Sequence, residues 1–192
     1  MISASVVLIA GGVPTSAAAL AAPSAPALLH VTAIHATPAV DWVETTDSPS
    51  GITAELPGKA TVRKATISIE GKPVDARFYG LDTPDGAVGF AVHDMPGEQY
   101  PLEDHLQRVL ESYRVNTAEP LDSSNVHKTT FDGRPALDAR LTSETENENL
   151  TGFIRFIADD KHLVQALVLG PEANEKALKA MHEQLLGSLR IP

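Results

Sequence analysis

The chain has 192 residues, 43% of them hydrophobic, with 25 acidic and 15 basic side chains and a formal net charge of −10. That length suffices for one domain plus an appendage, and so acidic a chain lacks the basic face that phosphate binding requires, which argues against nucleic acid as a partner. The sequence contains no cysteine, which excludes a disulfide framework, a thiolate nucleophile, a Cys-ligated zinc and a lipid-modified cysteine at its N-terminus.

Charge divides the chain before any element is read. Residues 1–40 carry no Asp, Glu, Lys or Arg, so every charged side chain lies from Asp41 onward. Residues 1–27 open on the apolar run Ile2 to Ala10 and become Ala-rich. The run is too short to span a bilayer, which takes roughly 20 apolar residues. It fits the hydrophobic region of a secretory signal peptide with a small-residue cleavage site at Ala19–Ala21 or Pro23–Ala25, although no Lys or Arg follows Met1 to supply the positive n-region. The alternative is an uncharged extension of an intracellular protein. Residues 28–41, rich in Ala and Pro, read as a linker, and residues 42–192 as a single domain.

Trp42–Thr46 and Ile52–Leu56 read as two short strands joined by the turn Asp47–Gly51, with Trp42 a core anchor because a buried indole contributes a large apolar area. Ala65–Glu70 follows as a strand with Ile67 and Ile69 on one face, turned by Gly71-Lys72. Val74, Ala76 and Phe78 then alternate with Asp75, Arg77 and Tyr79. After the turn at Asp82–Gly86, Val88, Phe90 and Val92 alternate with Ala87, Gly89 and Ala91. Period two over this length predicts an antiparallel sheet with one buried face.

The period then changes. Leu102, Leu106, Val109, Leu110 and Tyr113 recur at helical spacing, with Pro101 in the first turn and Glu103 and Asp104 complementing the dipole, so a helix is expected to end near Asn116. Strands return at Asn125–Phe131 and Ala136–Ser143 around Asp132-Gly133, and the acidic loop Glu144–Asn149 follows. Gly152–Gly170 reads as a hairpin turning at Asp159–Lys161. Its second arm, Leu163 to Leu169, is apolar almost without a break, as a strand covered on both faces must be. Gly170-Pro171 ends it, and Glu172–Leu186 forms a second amphipathic helix on Ala177, Leu178, Met181 and Leu185, with Gly187 as C-cap. Strands, helix, strands, helix is α+β logic: an antiparallel β-sheet flanked by two amphipathic helices.

Gly51–Gly58, the strand-after-turn Phe131–Leu141, and the closing hairpin with its helix to Ile191 together resemble the PsbP/Mog-like fold family. They are similar in particular to the small exported proteins and LpqN-type lipoproteins of actinobacteria that share it. The resemblance spans about residues 42–192 and rests on strand-and-turn patterns. It implies a non-enzymatic binding or scaffolding module and transfers no residue role. The lipoprotein members need an N-terminal cysteine, which this sequence lacks.

The residues with chemical potential are few. His93 and Asp94 end a strand, Glu98 lies in the next loop and His105 in the first turn of the helix. A folded-back loop would converge the four as nitrogen and oxygen ligands for Zn²⁺ or as an acid–base pair. Polar residues also collect at element boundaries without function, and the spacing matches no ligand signature. Ser143–Asn149 alternates oxygen ligands but lacks the glycine and terminal glutamate of a Ca²⁺ loop, and Asn149-Leu150-Thr151 matches a short sequon. Asp122, Ser123, Ser124 and His127 read as turn residues rather than a triad. No nucleophile elbow, phosphate loop, zinc-protease helix or dinucleotide fingerprint occurs.

The expected function is therefore a secreted, non-catalytic binding or scaffolding module of the cell envelope. It needs no cofactor, and its partner is an envelope protein, a cell-wall component or a small ligand. The competing expectation is a metal-dependent hydrolase using His93, Asp94 and His105.

Overall fold

A computed structural model describes residues 41–97, 101–145 and 148–192. The leader, nearly all of the linker and Glu98 lie outside the described residues. Strands β1 (Val43–Asp47) and β2 (Ile52–Leu56) form a two-stranded antiparallel sheet. Strands β3 (Thr61–Ile69), β4 (Lys72–Thr83) and β5 (Gly86–His93) precede helix α1 (Leu102–Thr117). Strands β6 (Asp122–Phe131), β7 (Arg134–Ser143), β8 (Leu150–Ala158) and β9 (Leu163–Pro171) then lead through a 3₁₀ turn to α2 (Glu175–Ser188). The large sheet has seven strands in the order β3-β4-β5-β9-β8-β7-β6, every pair antiparallel.

Two meanders, β3-β4-β5 and β6-β7-β8-β9, thus meet along the β5–β9 seam. Helix α1 is the long connection that carries the chain from the seam to the far edge. Turn chemistry explains the hairpins. Glu70-Gly71 and Asp132-Gly133 both adopt positive φ (50° and 79°, 49° and 80°), the left-handed pair that a two-residue loop needs to match strand twist.

Strand β9 is the central strand of the sheet and is buried on both faces, as its nearly continuous apolar run predicts. Val164, Ala166 and Val168 join Val88, Phe90, Val92 and Ile157 on the face covered by Leu178, Met181 and Leu185 of α2. Leu163 and Leu169 join Leu137, Ile154 and Phe156 on the other face, under Leu102, Leu106 and Tyr113 of α1. Helices alone do not make the cover. Ile52, Ala54 and Leu56 of β2 complete the α2 face, and Trp42 packs at its edge, partly buried.

Several local expectations are corrected. Strands β4 and β5 bury both faces over much of their length, not one, because the β1–β2 hairpin covers the side that carries Arg77 and Tyr79. Asp122, Ser123, Ser124 and His127 lie in β6 rather than a turn, at an irregularity where Asn125 takes φ 52°. Gly170 and Pro171 remain within β9, held against Thr151 and Leu150 of β8. Helix α2 starts three residues later than expected and passes through Gly187, so its C-cap is Leu189. Pro101 sits at the N-cap of α1 rather than inside it.

Candidate functional site

Of the residues selected from the sequence, His93 and Asp94 fall at the end of the sheet where β5 finishes, and His105 lies in the first turn of α1. Side chains alternate along a strand, so His93 at the end of β5 faces α1 whereas its neighbour Val92 faces α2. Asp94, just beyond, turns the other way. Its carboxylate takes two hydrogen bonds from Arg77, 2.5 Å from Nη1 and 2.6 Å from Nη2.

Arg77 has a second partner. Its Nε and Nη2 donate to the two carboxylate oxygens of Asp47 at 2.5 and 3.0 Å, and Asp47, the last residue of β1, is 0% exposed. The Tyr79 hydroxyl donates to the same carboxylate at 2.6 Å, as does the Ser50 hydroxyl. Burial pushes the Asp47 carboxyl up, but the hydrogen bonds from Arg77, Ser50 and Tyr79 together outweigh it and hold the group at about 2. Burial, then the bond to Asp47, pushes the Tyr79 phenol up to about 12. Hydrogen bonds to Asp94 and Asp47 raise the guanidinium further. Such a group clasps the small sheet to the large one. A carboxylate at about 2 is a poor base, and a guanidinium held by two carboxylates has little left for an anion.

The network continues beyond Asp94. His162 lies 3.8 Å from Asp94 and 3.8 Å from Asp159, and Arg134 donates to Asp159 at 2.7 Å. Hairpin tip, sheet end and the start of strand β7 therefore meet in one polar cluster.

Behind this polar end, His93 of β5 and His105 of α1 are both buried between sheet and helix, at 7% and 4% exposure. Burial, then the nearby charge of His105 and of Arg77, pushes His93 down to about 4; burial and Arg108 do the same to His105. Neither ring nitrogen of His93 has a hydrogen-bond partner among the described residues. Its ring packs edge-on against Phe78 at 5.9 Å, and His105 lies 6.2 Å from Phe156. Around His93 the surroundings are apolar, and its neutral imidazole packs there.

The structure thus brings His93 and His105 to one face and ties Asp94 to Arg77, away from them, while Glu98 lies outside the described residues. Among the described residues no three His, Asp or Glu side chains are grouped to hold a metal ion. Asp47, Arg77 and Tyr79 escaped sequence reasoning because Asp47 reads as the start of a turn and Arg77 as the polar face of a half-exposed strand. A third buried histidine, His182 of α2, was hidden the same way: it lies beside the Asp138–Arg155 pair and stacks on Phe153 at 6.0 Å. Burial and the charge of Arg155 push it down to about 4.

Comparison with known proteins gives a fold and no closer kinship. The chain is similar to the solution structure of the cyanobacterial PsbP protein (CyanoP) from Synechocystis sp. PCC 6803, at TM-score 0.59 and 10% identity, covering 84% of this chain and 99% of that one. This likeness establishes the PsbP-like fold. Looser likenesses, at TM-scores of 0.44 and 0.43, are to LpqN, involved in cell envelope biogenesis of Mycobacterium tuberculosis, and to a protein of unknown function from Pseudomonas aeruginosa. LpqN is 11% identical over 79% of this chain and 91% of its own; the Pseudomonas protein is 13% identical over 70% and 98%. No family model and no curated protein matches the sequence.

Proposed function

We propose that the chain is a non-catalytic binding or scaffolding module working outside the cytoplasm, carried past the membrane by the leader at residues 1–27. The observation that carries this reading is the Asp47–Arg77–Asp94 clasp: the charged groups at the sheet end satisfy one another, and the histidines behind them are held neutral. General acid–base work near neutral pH asks for the reverse, a titrating group poised near the working pH and open to substrate. The PsbP-like fold supports the same reading only by analogy. Among the described residues no helix is long and apolar enough to cross a membrane.

Two measurements test it. Elemental analysis of the purified full chain should find no stoichiometric metal, and chelator should leave its melting unchanged; zinc at one per chain, lost in His105→Ala, would establish the hydrolase instead. Mass spectrometry of protein from the native host should find an N-terminus between about Ala22 and Ala27, and an uncleaved leader in the cytoplasm would end the export reading.

A further inference from the structure

The two edges of the seven-stranded sheet are unlike. β6 is interrupted by the irregularity between Ser124 and His127, with Asn125 at φ 52°, and such a break turns an edge away from further pairing. β3 has none. Its nine residues, Thr61 to Ile69, pair with β4 in unbroken register from Thr61↔Gly80 to Ile69↔Lys72, and its outer side meets no strand among the described residues. A strand of that length presents a straight row of backbone donors and acceptors about 30 Å long.

The charge of this edge is also unlike the rest of the chain. From Lys59 to Lys72 there are four basic side chains and one acidic one, in a protein whose net charge is −10. Lys59, Arg63, Lys64 and Lys72 are all exposed, and none forms an ion pair with the described residues. Elsewhere Arg114 pairs with Glu111, Lys128 with Glu103, Arg134 with Asp159 and Arg140 with Glu175, while Arg108, Lys161, Lys176, Lys179 and Arg190 are exposed without an ion pair to the described residues, so what sets the β3 edge apart is the clustering of its cations. Val62, 52% exposed, adds an apolar contact on the strand itself.

From these two features we infer that β3 is a strand-addition surface for an extended, acidic segment of a protein partner. Only a peptide supplies alternating N–H and C=O groups to complete such a ladder, and acidic side chains on that peptide would meet Arg63 and Lys64, which point to opposite faces. A lipid headgroup or anionic polymer would use the charge and leave the backbone row unmet. The inference rests on the reading of the chain as a binding module, and it adds the class of partner.

The test uses the full chain and a set of nine-residue peptides in which Glu alternates with Val, Ile or Thr, with amide hydrogen exchange as readout. Binding should protect amides of β3 and leave β6 unchanged. Methylating alternate peptide nitrogens should abolish it, and Arg63→Glu with Lys64→Glu should weaken it at least about tenfold, more at low salt. Absence of β3 protection across the peptide set, equal binding by the N-methylated peptides, or recruitment to phosphatidylglycerol vesicles without peptide binding would each overturn the inference. None of these outcomes bears on metal content, so failure here is distinguishable from failure of the module reading.

Discussion

Lowering the pH should unfold this protein well above the range where its carboxylates titrate. His93, His105 and His182 each carry a folded-state value of about 4 against 6.5 in an open chain. Below 6.5 the unfolded chain binds protons that the folded one refuses, so stability is full above that value and drains away as pH falls toward 4. For one such histidine the loss between about pH 7.5 and pH 5 is about 2 kcal/mol, approaching about 3 below pH 4. Three together reach about 6 kcal/mol at pH 5, an upper bound because His93 and His105 repel each other, yet comparable with the whole stability of a small domain. His182 isolates one share. Urea denaturation of the wild-type chain and of His182→Gln at about pH 7.5 and pH 5 should show the variant losing about 2 kcal/mol less over that interval. A wild-type-minus-variant difference that does not change with pH would refute the burial argument for this residue.

The clasp makes a second prediction: Asp47→Asn leaves Arg77 buried with one carboxylate and should cost about 3 kcal/mol, measured by thermal or urea unfolding, whereas a loss under about 1 kcal/mol would show the pair to be incidental. Gly152→Ala should be strongly destabilising, because an added Cβ would lie 2.3 Å from the Val168 carbonyl oxygen of the neighbouring strand; a soluble variant with unchanged melting would show that β8 and β9 can part. Gly187→Ala should do the opposite. It sits within α2 with nothing within 4 Å of a new Cβ, so helix propensity alone should add about 1 kcal/mol, visible as a raised urea midpoint; a lowered one would contradict the helical assignment at that position.

Much of the fold is legible in the residues because the signals are local. Alternation along Val88, Phe90 and Val92, the glycines after Glu70 and Asp132, and the helical spacing of Leu102, Leu106 and Tyr113 are each set by the period of the element that bears them. The run from Leu163 to Leu169, apolar but for Gln165, even declares that β9 is covered twice. The candidate site is less legible. His93 and His105 are noticeable by type, but nothing nearby in sequence says that one face of the sheet end is apolar and the other a charged clasp.

From sequence alone, then, came most of the elements, the turns at Gly71 and Gly133 and the two-sided burial of β9, since each depends on spacing or turn chemistry local to its own residues. Tertiary structure alone decided the order β3-β4-β5-β9-β8-β7-β6, the β1–β2 lid over Arg77, and the pairing of Asp47 with a cation thirty residues away. Alternation states that a side chain faces one way but not what meets it there; a carboxylate that reads as a turn residue becomes a buried ion only when a distant guanidinium folds onto it.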